Sequence, residues 1–269
     1  MSTNILAKIV ASKFVEVAER KKQMSISQLE AMPLFELKGH SLKANLLDTT
    51  KTGIIAEFKR QSPSKGIINA NANVAEVTKA YTQYGAAGIS VLTDGPYFGG
   101  SLADLNIAVL NPIPVLRKEF MIDEFQIIEA KAYGASVILL IAACLTPAET
   151  KLLAGTAKNL GMEVLLELHD EKELAYICDD VDFVGINNRS LKSFEVNIEH
   201  ALQLKNRLPK EKLSIAESGI YDIETFKLLK KEGFDGFLMG EYFMKEKNPA
   251  KAFEAFSQLI QSHKSSIDN

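Results

Sequence analysis

The chain has 269 residues, 46% of them hydrophobic and 24% charged, an ordinary globular composition with length for one large domain or two small ones. No apolar run approaches the roughly 18 residues of a membrane-spanning helix. Lys8 and Lys13 interrupt the stretch that a secretory signal would keep uncharged, and a formal net charge of −3 argues against non-specific nucleic-acid binding.

These features lead us to expect a soluble, cytoplasmic protein. Its two cysteines, Cys144 and Cys178, lie in no CxxC and no Cys/His cluster with metal-ligand spacing, so both are expected to be buried, reduced thiols. The four histidines, His40, His169, His200 and His263, are scattered and suggest no chemical role.

In chain order, Leu6, Val10, Phe14 and Val17 recur at helical spacing and predict an amphipathic helix. Met24 to Leu47 continues as further helix and turn. Residues 1–50 are therefore expected to form an extension packed on the main body, across its mouth, and 1–269 to form one domain.

From residue 53 short apolar runs alternate with amphipathic stretches, the pattern of repeated βα units. Eight runs can be counted: 53–59, 88–93, 113–118, 136–141, 162–168, 182–187, 213–218 and 235–240. Helix-like segments such as VAEVTKAYTQYG and DIETFKLLKKEG lie between them. Gly85, Gly134, Gly161 and Gly233 stand where left-handed helix caps are expected. Eight units in just over 200 residues predict an α/β fold, a closed (β/α)8 barrel with an N-terminal helical extension. An open Rossmann-like sheet is the alternative, but no GxGxxG follows the first run.

In the first run, GIIAEFK, side chains alternate, so Ile55, Glu57 and Lys59 share one face and Ile54, Ala56 and Phe58 the other. The apolar set would pack under helices and the charged pair would point into the barrel near its C-terminal end. Either the pair is an internal ion pair, or it belongs to a site. The later runs favour a site: they bring Lys118, Glu167, Asn187, Glu217 and Ser218 to the ends of apolar strands. Enclosed lysines and glutamates have proton affinities that can be moved into the range useful for acid and base work.

An anion site is also legible. Ser62, Pro63, Ser64, Lys65 and Gly66 form a polar turn after the first run, and Gly219 and Gly240 follow the last two. In many barrels those last two loops hold a phosphate. Glu241 would be unfavourable beside one and is expected to face away.

Together the stretches IIAEFKRQSPSKG (54–66), SVLTDGPYFGGSL (90–102), PVLRKEFMIDEFQIIEAKAYGA (114–135), GINNRSLKSFEV (185–196), AESGI (216–220) and FLMGEYFM (237–244) resemble the indole-3-glycerol phosphate synthases of tryptophan biosynthesis. The resemblance implies a (β/α)8 barrel, no cofactor and no metal. It implies a carboxy-lyase acting on a phosphorylated small molecule, 1-(2-carboxyphenylamino)-1-deoxyribulose 5-phosphate, with ring closure and loss of carbon dioxide and water. By the same resemblance Lys118 is the general acid at the ketone and Lys59 neutralises the substrate carboxylate. Glu167 moves a proton during dehydration, and Glu57 and Asn187 orient hydroxyls and the catalytic amines. Glu217 binds a sugar hydroxyl or assists Glu57. Ser62, Ser218, Gly219 and Gly240 would hold the phosphate, with Arg189 positioning the loop. Phe98, Phe120 and Leu139 are apolar enough to sandwich the anthranilate ring. A stand-alone monomer is expected, with no nucleic-acid or membrane partner.

Three places depart from the family pattern: Ser190 where an Asp commonly follows the Arg, LRKEF where KDF is more usual, and Tyr242 and Phe243 where smaller residues are common. Two related barrels, phosphoribosylanthranilate isomerase and the tryptophan synthase α chain, are the competing enzymes. The isomerase would want a cysteine at the end of the first strand, and none is there. A non-catalytic phosphate-binding barrel would be expected to lack Glu57, Lys118 or Glu167, and all three are present.

Overall fold

The computed structural model describes residues 5–189 and 195–267, so Ser190 lies outside the described residues. The strands are β1 (Ile54–Phe58), a small antiparallel pair β2 (Gln61–Ser62) and β3 (Gly66–Ile67), then β4 (Gly88–Leu92), β5 (Val115–Lys118), β6 (Val137–Ile141), β7 (Glu163–Leu168), β8 (Phe183–Asn187), β9 (Leu213–Glu217) and β10 (Gly236–Met239). All but β2 and β3 run parallel and close into a barrel in the order β1-β10-β9-β8-β7-β6-β5-β4. The expected α/β barrel is what the chain forms, and each barrel strand lies within one of the eight apolar runs.

The runs are continuous because both faces of a parallel barrel strand are buried. Ile55, Leu116, Val137, Leu139, Leu165, Phe183, Ile215 and Leu238 make the inner cluster, while Ile54, Ala56, Phe58, Ile89 and Val91 pack under the helices. The alternation expected for β1 is therefore present. Helices begin where the sequence offers a capping oxygen: Asn73, Thr146 and Asp222 accept from backbone N–H groups at the starts of Val74–Gln83, Pro147–Asn159 and Ile223–Lys231. Gly85, Gly134, Gly161 and Gly233 all take the left-handed conformation that ends a helix, with φ from 73° to 84°.

The N-terminal extension grips both ends of the barrel. Its first helix, α1 (Ile5–Gln23), buries Leu6, Ile9, Lys13 and Val17. That face is rotated from the one expected: Val10 is half-buried and Phe14 is 62% exposed. The reason is Lys13, whose ammonium lies between buried carboxylates and fixes the phase of the helix. After the short α2 (Ile26–Glu30), Leu29 and Phe35 pack with Phe125 and Ala132 on the barrel flank. Then α3 (Leu42–Leu47) closes the N-terminal end: Leu42 joins the inner cluster, and Glu163 at the start of β7 accepts from the Ser41 hydroxyl and the Leu42 N–H, each at 2.6 Å.

One further difference from expectation concerns the two thiols. Cys144 and Cys178 are free but half-buried, each at the edge of a cluster instead of inside it. Arg117, on the outer face of β5, is fully buried, donating to Glu129 Oε2 at 2.8 Å, the Gln126 carbonyl at 2.9 Å and the Thr93 hydroxyl at 3.1 Å. Among the described residues no helix is long and apolar enough to cross a membrane.

Candidate active site

Strand register assembles the acidic centre. Asn187 pairs with Glu217 between β8 and β9, and Glu217 with Leu238 between β9 and β10. Glu57 and Lys59 come from β1 and its end, Lys118 from β5 and Glu167 from β7. Their side chains meet at the C-terminal mouth around a cavity of about 200 Å³. Phe98, Phe120, Leu139, Ser62, Ser218, Gly219, Gly240 and Arg189 line the same cavity, so every residue singled out for the site is brought to one place.

Lys118 is its electrostatic hub. Its Nζ lies 2.6 Å from Glu217 Oε2 and 3.3 Å from Glu167 Oε2. Burial alone would lower the lysine pKa, but Glu217, Glu167 and Glu57 outweigh it and keep the amine firmly protonated. The two carboxyls are pushed apart. Burial raises Glu217 to about 8; Lys118 works against that shift and Glu167 adds to it, and burial prevails. Burial also works against ionised Glu167, but there Lys118, His169 and a hydrogen bond from Asn187 prevail and hold it below the usual carboxylate range. Asn187 Nδ2 donates to Glu167 Oε1 at 3.1 Å. A carboxylate, a carboxylic acid and an ammonium thus stand side by side. Across the mouth, Glu57 and Lys59 form an ion pair at 2.6 Å. The internal pairing is therefore real, but it lies within the site.

Glycines make room for these carboxyls. A Cβ on Gly185 in β8 would collide with Glu217 Oε1, and one on Gly240 would lie 2.6 Å from Glu57 Oε1. At the serine and glycine end, Ser62 Oγ is 3.5 Å from Ser64 Oγ, and Ser218 and Gly219 turn the chain with φ of 63° and 73°. The Ser218 carbonyl accepts from Asn188 at 2.7 Å, bracing a conformation that non-glycine residues rarely adopt. Arg189 donates to the Tyr221 hydroxyl at 2.7 Å and to Glu241 Oε2 at 3.3 Å. Glu241 lines the cavity instead of facing away from it, because Arg189 and Lys65, the latter 3.7 Å from its Oε1, hold it there and offset its charge.

At the opposite end Phe98 and Phe120 face one another with ring centres 6.0 Å apart. Ile5, Leu6 and Ile9 of α1 complete that wall. Of the departing residues, Tyr242 lines the cavity, while Phe243 is buried in an aromatic cluster with Tyr81 and Phe253.

Sequence reasoning passed over two groups. His169 Nε2 lies 3.2 Å from Glu167 Oε1, close but not in an aligned hydrogen bond. It stands two residues beyond Glu167, and the same period-two rule applied to Glu57 and Lys59 would have found it. Lys13, Asp94 and Glu119 form a buried ionic cluster behind the phenylalanines, which no local sequence pattern signals. Among the described residues no cluster of three His, Cys, Asp or Glu side chains is arranged to hold a metal ion.

The fold has distant structural relatives. The tryptophan synthase α subunit of Legionella pneumophila superposes with a TM-score of 0.60 at 13% identity, covering 83% of this chain and 98% of that one, which is a likeness of fold alone. Sequence relatives are much closer. Indole-3-glycerol phosphate synthase of Bacteroides thetaiotaomicron is 43% identical over 259 residues, 96% of this chain and 99% of the relative. That of Acinetobacter baumannii is 41% identical over 262 residues, 95% and 96% of the two chains. The family model described as indole-3-glycerol phosphate synthase matches residues 6–256, and the chain belongs to that family.

Proposed function

We propose that the chain closes the indole ring of 1-(2-carboxyphenylamino)-1-deoxyribulose 5-phosphate, releasing carbon dioxide and water, as the indole-3-glycerol phosphate synthase of tryptophan biosynthesis. The observation that carries this reading is Lys118, protonated between Glu217 and Glu167 on the floor of a cavity with aromatic rings at one end and serine and glycine loops at the other. Phe98, Phe120 and Leu139 take the anthranilate ring, and Ser62, Ser218, Gly219 and Gly240 take the phosphate, with Arg189 bracing the loop beside them.

The proton balance suits these groups. Lys118 donates to the ketone oxygen and so makes the ketone carbon electrophilic, and the carboxylate-bearing ring carbon attacks it to close the ring. Lys59 faces the substrate carboxylate, which leaves as carbon dioxide and returns its electron pair to the ring. Dehydration then needs one proton for the departing hydroxyl and a base for the carbon next to nitrogen. Glu167, held ionised, is that base. Protonated Glu217, 2.6 Å from Lys118, is a proton source for the second donation. Two protons are given and one is taken, which matches the loss of a carboxylate as carbon dioxide. Glu57 and Asn187 hold Lys59 and Glu167 in place.

The chain contains no tryptophan, so the product itself reports the reaction. Indole emission is expected to grow when the purified protein meets the substrate, and Lys118→Ala is expected to bind product without producing that signal. Equal emission from both samples would sink the assignment of Lys118. No emission from either, with ligand still bound, would point to a phosphate-binding barrel without turnover.

The same reading makes 1–269 one barrel domain with residues 1–50 as its extension, acting in the cytoplasm as a monomer without a cofactor, metal, nucleic-acid or membrane partner. The net charge of −3 supports the nucleic-acid part. Light scattering of the purified chain checks the monomer.

A further inference from the structure

Behind the aromatic wall, Lys13 is 1% exposed, an unusual burial for a lysine on a helix that lies over the barrel mouth. Its Nζ contacts Glu16 of the same helix at 2.7 Å, Asp94 beyond β4 at 2.8 Å and Glu119 beyond β5 at 3.1 Å. Each barrel carboxylate also holds the backbone of a cavity residue. Asp94 Oδ1 accepts from the N–H groups of Tyr97 and Phe98 at 2.7 and 3.2 Å. Glu119 Oε1 accepts from the Phe120 N–H at 2.9 Å, and its Oε2 from the Thr93 hydroxyl at 2.8 Å. Leu6 and Ile9, on the same face of α1 as Lys13, line the cavity themselves.

We propose that Lys13 is a positioning residue for the reaction, pinning α1 to Asp94 and Glu119 and so setting the wall of Phe98, Phe120, Leu6 and Ile9 that receives the substrate's aromatic ring. Without the ammonium, two buried carboxylates face one another across the junction of α1 with β4 and β5. Either they separate or water enters, and both displace the backbone N–H groups of Phe98 and Phe120. Among the described residues the serine and glycine end makes no direct bond to Lys13, Asp94 or Glu119; its nearest link is Gln61, beside Ser62, which donates to the Pro96 carbonyl at 3.1 Å. The effect therefore falls first on the aromatic half of the ligand. This inference rests on the proposed function, because it assumes that Phe98 and Phe120 receive the ring.

The experiment compares the full-length wild type with Lys13→Met, measuring kcat and KM by indole emission and the inhibition constant of inorganic phosphate. The expected result is a KM raised at least tenfold, kcat within threefold and phosphate inhibition within twofold of wild type. A KM within twofold of wild type, or phosphate inhibition weakened as much as KM, would overturn the proposal. Should Lys13→Met lack a cooperative melt, hydrogen exchange on the wild type decides. Residues 6–17 are expected to be protected like the barrel strands, and fast exchange there over a protected barrel would overturn the assignment. A wild type without turnover counts against the function, whereas turnover with an unchanged Lys13→Met KM counts against Lys13 alone.

Discussion

Glu217 and Glu167 are the same residue type less than a side chain apart, yet their environments oppose each other. The raised pKa of Glu217 means that its folded-state stabilisation is complete below the ordinary carboxylate range and is lost as pH rises through neutrality. Depressed Glu167 acts in the other direction, stabilising above that range and losing its contribution only in acid. Thermal melts of wild type and Glu217→Gln should therefore diverge with pH, the wild type losing ground to the variant between roughly pH 5 and pH 8.5. A constant difference across that window would place the proton elsewhere. Replacing both members of a buried ion pair is often neutral or stabilising, so the double change of Glu57→Gln with Lys59→Met is expected to keep or raise Tm while turnover falls. A large loss of stability in that double variant would instead make the charges structural. Arg117 is the contrasting case, since its three bonds, to Thr93, the Gln126 carbonyl and Glu129, lie outside the cavity. Arg117→Met should cost about 3–5 kcal/mol in denaturant unfolding, because Thr93 and Glu129 lose a buried partner.

Individual elements differ in how much of them can be read in advance. Barrel strands were legible because a strand buried on both faces cannot hide its apolar run, and β1 was legible down to which face carries Glu57. The helix α1 was legible as a helix but not in phase. Phe14 looked like core and Lys13 like surface, and the reverse holds because Asp94 and Glu119, about 80 and 100 residues away, receive the lysine. No local pattern contains that information. The place of Gly185 was equally hidden, since its need for a bare α-carbon comes from Glu217 on the next strand. Gly185→Ala should displace that carboxyl, and a shift of about 1 Å is worth on the order of 100-fold in kcat. The melt should stay cooperative, and circular dichroism alongside turnover tests both halves of that expectation.

For the molecule as a whole, the extension does two separable jobs, with α1 at the catalytic mouth and α3 at the opposite end. Removal of residues 1–23 is expected to weaken substrate binding and leave a cooperative melt. Removal of 1–45 also uncovers the inner cluster that Leu42 seals, and that melt should be lost. Equal stability of the two truncations would refute the division of labour.

The barrel closes where β1 pairs with β10, Ile54 to Ala56 lying against Phe237 to Met239. Gly240, directly after that last strand, is also the residue that leaves space for the Glu57 carboxylate. A nascent chain emerging from the ribosome can stack its earlier βα units one after another, but it has no partner for the far edge of β1 until the final strand is released. The catalytic mouth is therefore a product of completion, and a polypeptide stalled before residue 236 carries Lys118 and all three site glutamates without being able to enclose a ligand among them.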